Sequence, residues 1–394
     1  MYAYKFGTGF LLGMLLGWLF TRMKLPSLLG MLITGIVLGP YVLNPLDDSI
    51  LNISADLRQI ALIVILTRAG LSLDINDLKK VGRPAVLMCF VPACLEILGM
   101  VLLAPGIRGI TVLEAAIMGA VVGAVSPAVI VPKMLVLMDQ GYGVEKSIPQ
   151  LLLAGASVDD IFVIVMFTAF TGLAQGNGIT PASFARIPVS IITGIILGVL
   201  VGIVLALFFE KIHIRDSGKV VILLSLSFLM ITLEHAVETY VPFSELLAVM
   251  SIGISLQKKR QAVAERLSAK YSKLWVAAEI LLFVLVGATV NIGYAAKAGG
   301  GAVLLIFCVL LFRMAGVWIC LLGTRLLIKE RIFCMIGYMP KATVQAAIGG
   351  IPLAMGLACG DIVLTVAVLA ILITAPLGAF GIDRTYRRLL QCKK

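Results

Sequence analysis

Residues 155–167 read GASVDDIFVIVMF, and the two aspartates inside this otherwise apolar run, Asp159 and Asp160, are the residues best placed to do chemistry. A carboxylate in a low-dielectric setting is costly as a bare anion, so an acid at that depth marks a site for ions or protons by default. Adjacent residues of a helix point about 100° apart. One carboxylate can therefore face an aqueous cavity while the other packs toward a partner. The same geometry argues against an intramembrane aspartyl protease, which needs two carboxyls sharing one proton from facing helices. A purely structural pair, neutralised by salt bridges or protons, is the competing reading.

Other charges stand alone in apolar surroundings. Glu96 lies in VPACLEILGM and Arg313 in VLLFRMAGVW, each about halfway along its run. An isolated charge at such depth costs roughly 2.5–3.5 kcal/mol on insertion scales. Pairing removes much of that cost, so the two are expected to form an ion pair, serving structure at least as readily as transport. Exchanging both charges should then be tolerated better than removing one. Lys133 and Lys341 each follow a proline, Pro132 and Pro340. Little else is reactive. The seven cysteines, Cys89, Cys94, Cys308, Cys320, Cys334, Cys359 and Cys392, form no CxxC pair and read as small buried hydrophobes. His213 and His235 lie far apart. No cofactor, resident metal or enzymatic nucleophile is expected.

The elements that position these residues follow from composition. Of 394 residues, 60% are hydrophobic and 13% charged, with a mean hydropathy of +1.08, whereas soluble domains carry about a quarter charged residues. Apolar runs of the roughly 20 residues that cross a hydrocarbon core recur from end to end. An all-α polytopic membrane protein is expected, with about thirteen spans near residues 6–21, 28–43, 59–73, 84–104, 113–138, 149–174, 188–209, 219–236, 243–256, 274–291, 301–323, 332–357 and 362–380. The first run, Phe6 to Phe20, lacks a small-residue cleavage site and reads as a span, not a signal peptide.

Lys and Arg collect on the cytoplasmic side of membrane proteins, which tests the count independently. Thirteen spans put 23 of the 32 basic residues on one side, including Lys79, Lys80, Lys146, the six between Lys258 and Lys273, and the terminal Lys393 and Lys394. Only Lys5, Arg58, Arg108, Arg186 and Lys297 fall on the other. The N-terminus is expected outside and the C-terminus in the cytoplasm. The net charge of +11 reads as topology, not as nucleic-acid binding. The polar connection Gln257–Lys273 reads as a cytoplasmic amphipathic helix or loop able to touch anionic lipid.

Two spans look broken. The fifth carries GAVSPAVIVPKML, with Pro127 and Pro132; the twelfth carries GYMPKATVQAAIGGIP, with Pro340, Pro352 and the pair Gly349-Gly350. Proline removes an amide donor and clashes with the preceding turn. Backbone freed within a membrane persists only where protein or a cavity satisfies it. The spans before the two broken ones carry Glu96 and Arg313. Seven spans separate each member of one set from its counterpart, and an odd displacement reverses direction across the membrane. Spans 4–5–6 and 11–12–13 therefore read as an inverted repeat whose crossed, discontinuous helices place a substrate site at the midplane. Lys133 and Lys341 are expected to neutralise the carbonyl ends of the half-helices.

GAVSPAVIVPKML, GYGVEKSIPQLLLAGASVDDI and PKATVQAAIG resemble sodium/proton antiporters of the cation:proton antiporter superfamily, nearest the NHA (NHEDC-type) branch, over essentially the whole chain. The resemblance implies a homodimer in the cell (inner) membrane that exchanges Na⁺ or Li⁺ for H⁺ by an elevator-like motion. It implies an ion-translocating core at residues 59–174 and 301–380, and a dimerisation scaffold at 1–58 and 188–291. Carried over by motif, Asp160 is the main cation-binding and proton-carrying carboxylate and Asp159 its neighbour. Val125, Ser126 and Thr343 lie near the ion, and Glu96 and Arg313 match an ion pair of the branch. The wider paired-aspartate group commonly has lysine where Arg313 stands. Arginine cannot release a proton at physiological pH, so electroneutral 1:1 exchange becomes the expectation. The alternatives are K⁺/H⁺ exchange, Na⁺-coupled uptake of an organic anion on the same scaffold, or a sensor that does not transport.

Overall fold

A computed structural model of the chain describes residues 2–46, 48–72, 82–175, 181–237 and 243–392. Lys79, Lys80, Lys393 and Lys394, used above to read topology, lie outside the described residues. Eighteen α-helices follow in order: α1 Tyr2–Arg22, α2 Ser27–Leu38, α3 Asp48–Leu51, α4 Ser54–Ser72, α5 Arg83–Met88, α6 Val91–Arg108, α7 Val112–Val122, α8 Pro127–Asp139, α9 Ile148–Gln175, α10 Pro181–Lys211, α11 Asp216–Val237, α12 Glu245–Lys259, α13 Gln261–Ala288, α14 Ile292–Cys320, α15 Ile328–Gly337, α16 Thr343–Ile348, α17 Ile351–Ala354 and α18 Gly360–Leu389. No strand occurs among the described residues.

Among the described residues, eight segments are long and apolar enough to cross a membrane: 83–107, 112–139, 148–175, 189–211, 216–234, 261–288, 299–320 and 360–389. The chain is thus an all-helical, multi-pass membrane protein. The other five expected spans fall on α1, α2, α4, α12 and the interrupted run α15–α17; α2 and α12 are shorter and α4 more polar than the eight. Length and composition alone therefore pick out eight crossings among the described residues, where the sequence reading expects about thirteen along the whole chain. The polar connection after residue 257 is mostly helix. Apart from a break at Arg260, it forms the opening turns of α13, which runs unbroken to Ala288.

Both expected interruptions are present, and each has a local cause. A capping box starts α7: Glu114 N–H donates to Thr111 Oγ1 (3.3 Å), and Thr111 N–H donates to Glu114 Oε2 (2.8 Å). Helix α7 ends at Val122, and α8 cannot begin before Pro127. The residue preceding a proline is driven out of the helical region, and Ser126 is extended, with φ −93° and ψ 110°. Pro132 lies inside α8 without ending it. In the twelfth run, residues 338–342 separate α15 from α16, and Gly349-Gly350 separates α16 from α17.

The chain divides into two compact units. The first comprises residues 1–58, 76–163 and 280–394. Within it α18 is the spine, against which α15, α16 and α17 pack. Its Gly378 lies so close to the Pro340 ring that a Cβ there would collide with it, and its Thr374 Oγ1 accepts from Lys341 N–H (3.0 Å). The second break is therefore seated on α18.

The second unit comprises residues 59–75 and 164–279. There α10 crosses α12 through Gly194, Gly198 and Gly202, spaced four apart, whose missing side chains let it approach the carbonyls of Ser244, Ala248 and Ile252. Small residues at such spacing allow close helix approach where lipid provides no hydrophobic drive. Gly198→Leu is expected to cost about 1–3 kcal/mol through overpacking, seen as a lower thermal unfolding midpoint in detergent. Gly172→Leu, at a site with open space around it, should leave the midpoint unchanged.

Candidate functional site

The two interruptions of the first unit meet. Ser126 N–H, at the start of α8, donates to Pro340 O in the second break (2.8 Å). Backbone groups freed by a break inside a membrane must find partners in the protein, and several of those partners can be named here. Val122 O accepts from Lys341 Nζ (2.7 Å) and Gln345 Nε2 (3.3 Å). Gly123 O accepts from Arg313 Nη1, and Ala124 O from Gln345 Nε2 (2.8 Å). Val125 N–H donates to Asp159 Oδ2 (2.8 Å). Across the crossing, Tyr338 O accepts from Arg313 Nε (2.8 Å). Cationic groups thus meet the carbonyl end of α7, and a carboxylate meets the amide side of the same break, each sign where the helix dipole favours it.

These charges are matched among themselves. Glu96 accepts from Arg313 Nη1 (2.8 Å) and from Lys341 Nζ (2.7 and 2.8 Å to its two oxygens). Arg313 Nη2 donates to Asp159 Oδ2 (2.8 Å). All four side chains are at most 1% exposed. Two anions, Glu96 and Asp159, therefore balance two cations, Arg313 and Lys341. Burial of such a set is tolerable only because every charge is both paired and hydrogen-bonded. Tyr338 completes the wall: its ring lies 5.0 Å from the Arg313 guanidinium, and its hydroxyl donates to Met88 O (3.0 Å).

Asp160 is the surplus acid. It is 9% exposed and, among the described residues, has no cation within ion-pair distance. Its Oδ1, like Oδ1 of Asp159, is buried with no hydrogen-bond partner in the protein. Ser126 Oγ and Gln345 Oε1 are in the same condition. Of these four unpartnered buried oxygens, three belong to Ser126 in the first break or to Asp159 and Gln345 bonded to it, and the fourth to Asp160, the chain neighbour of Asp159. Oxygens of this kind, rather than sulfur or imidazole nitrogen, are what a hard cation takes as ligands.

The structure brings Glu96, Asp159, Arg313, Lys341 and the Val125 amide into one network. Ser126 and Thr343 stand buried at the starts of α8 and α16. Lys133 is elsewhere: it is ion-paired with Asp383 of α18 and partly exposed. Because α8 continues through Pro132, Lys133 is carried along the helix away from the break, and the carbonyl end is met by Lys341 and Arg313. Gln345, Tyr338 and Thr374 were not singled out by sequence. Gln345 left a signal, as a lone amide in the apolar stretch after Pro340, and the others left none.

A family model described as the transmembrane region of sodium/hydrogen exchangers matches residues 10–387. The chain belongs to the sodium/hydrogen exchanger family. Membership places this chain among membrane transporters, not enzymes. Sodium/hydrogen exchanger 9B2 of Homo sapiens is 36% identical over 390 residues, 94% of this chain and 71% of that protein. Sodium/hydrogen exchanger 9B1 of Homo sapiens is 32% identical over 371 residues, 90% and 70% of the two chains. The sodium proton antiporter MjNhaP1 of Methanocaldococcus jannaschii, solved at pH 8, superposes with a TM-score of 0.84 at 19% identity, over 98% of this chain and 97% of its own. This family member therefore shares the antiporter fold.

The geometry reverses one expectation for the Glu96–Arg313 pair. Arg313 also serves two backbone carbonyls and Asp159, which a glutamate at 313 would repel. Arg313→Met is expected to cost about 3–5 kcal/mol, as for removal of one partner from a buried pair. The exchanged pair Glu96→Arg with Arg313→Glu should be no more stable than the single variant. Thermal unfolding of both in detergent checks this, and recovery of stability in the exchanged pair would contradict the network.

Proposed function

We propose that the chain exchanges Na⁺, or Li⁺, for H⁺ across the cell membrane, with Asp160 alternately holding the cation and the proton. Family membership supports sodium/proton exchange as the activity. The observation that carries the assignment to one residue is the charge balance: every other acid at the crossing has a buried cation, and Asp160 has none.

The chemistry follows from that surplus. A bare carboxylate is expensive to carry past apolar packing, at roughly 2.5–3.5 kcal/mol even on lenient scales. Binding H⁺ neutralises it, and so does binding Na⁺. Only a loaded site crosses cheaply, so neither species moves without the other returning. Asp159 stays committed to Arg313 and the Val125 amide, and its role is to orient the break and fix the local charge. Ser126 and Thr343 supply neutral oxygens near the starts of their half-helices. Arg313 cannot deliver a second proton, which favours one H⁺ per Na⁺ and electroneutral exchange. An inward proton gradient then expels Na⁺.

On this reading residues 59–174 and 301–380 form the moving core, and residues 1–58 and 188–291 form the scaffold of a homodimer. The excess of basic residues on one side supports an external N-terminus and a cytoplasmic C-terminus, with anionic lipid meeting the opening turns of α13. Asp160→Asn preserves shape and removes the exchangeable charge. It is expected to abolish Na⁺-dependent proton release from proteoliposomes while the purified protein elutes and unfolds as the parent does. Exchange at parental rates in the folded variant would reject the assignment.

A further inference from the structure

Gln345 lies on α16, two residues after Thr343, and is completely buried. Its amide nitrogen bonds two carbonyls on either side of Gly123, Ala124 O at 2.8 Å and Val122 O at 3.3 Å. That double contact fixes which way the amide faces, because turning it over would press Oε1 against two carbonyl oxygens. With the nitrogen so held, Oε1 is left buried, and no protein group donates to it. A buried acceptor without a partner requires an explanation. Here it belongs to a residue bonded to the very stretch whose next amide, Val125 N–H, holds Asp159.

Other local features exclude simpler accounts. Lys341, four residues earlier, is occupied by both oxygens of Glu96 and by Val122 O. Arg313 is occupied by Glu96, Asp159, Gly123 O and Tyr338 O. Neither cation is placed to donate to the glutamine oxygen. A residue wanted only as a clamp on Val122 and Ala124 would need its nitrogen alone. We propose that Gln345 is a specificity-determining ligand, whose Oε1 offers the transported cation a neutral oxygen while its Nε2 holds the first break open. The inference rests on the exchange reading above. It adds that the second interrupted run contributes directly to the choice among monovalent cations. A neutral oxygen on a tethered amide sets a fixed distance, to which small and large cations respond differently.

The test compares the parent chain with Gln345→Met, of similar volume but without either polar atom. Exchange is measured in proteoliposomes against Na⁺, Li⁺ and K⁺. Loss of one oxygen should raise the apparent KM for Na⁺ about tenfold and change the ratio of the Na⁺ and Li⁺ KM values. A clamp alone would lower maximal rate or stability and leave the ratio untouched, and that result overturns the inference. If Gln345→Met does not fold, the parent chain labelled with ¹³C in its glutamine side chains serves instead. The Gln345 carbonyl resonance should then move on adding Na⁺ and not on adding N-methyl-D-glucamine, and an unmoved resonance overturns the inference. Absence of exchange in the parent would instead count against the exchange reading itself.

Discussion

A carbonyl released from a helix inside a hydrocarbon layer has no water to turn to, and this constraint orders the rest of the molecule. Pro127 and Pro340 force two such releases where the fifth and twelfth runs cross. The freed groups are answered by Arg313, Lys341, Gln345 and Asp159, and these answers create a further demand. Cations gathered to satisfy carbonyls need counter-charges at the same depth, which Glu96 and Asp159 supply. The ion network is therefore less a decoration of the site than the cost of keeping two helices open.

Once that network balances, a further acid beside it is anomalous. Asp160 shares a helix turn with Asp159 but not its direction, and α9 presents it without a cation. On the proposed reading, two tasks that one aspartate cannot perform together fall to two neighbours. A carboxylate bound to arginine and an amide is held in place, whereas one that must accept and release ions in turn has to be free of such partners. Close helix packing through Gly194, Gly198 and Gly202 in the second unit uses the same economy, since small residues let backbones approach where lipid gives no hydrophobic push.

How much of this was legible depended on how strongly a residue violates its surroundings. Asp159, Asp160, Glu96 and Arg313 stood out because full charges in apolar runs are rare, and the structure brings three of them into one hydrogen-bonded set. The breaks were legible from Pro127 and Pro340. Lys133 misled, because a Pro-Lys step looks the same in sequence whether the helix stops or continues; α8 runs through Pro132 and turns the lysine toward Asp383. Gln345 went unnoticed since a neutral amide is cheaper to bury than a charge and signals less. Thr374 reads in sequence as any threonine in a span, and only the seating of the second break on α18 shows why it is there. The number of crossings was the least legible feature, because α2, α4 and α12 are too short or too polar for composition to assign.

The central claim is that one carboxylate carries either a sodium ion or a proton, never both. Calorimetric titration of the purified protein with NaCl in buffers of different ionisation enthalpy tests it most directly, at a pH where the site is protonated before Na⁺ arrives. The account predicts that each Na⁺ bound releases one proton to the buffer. Saturable Na⁺ binding with no proton released would contradict it.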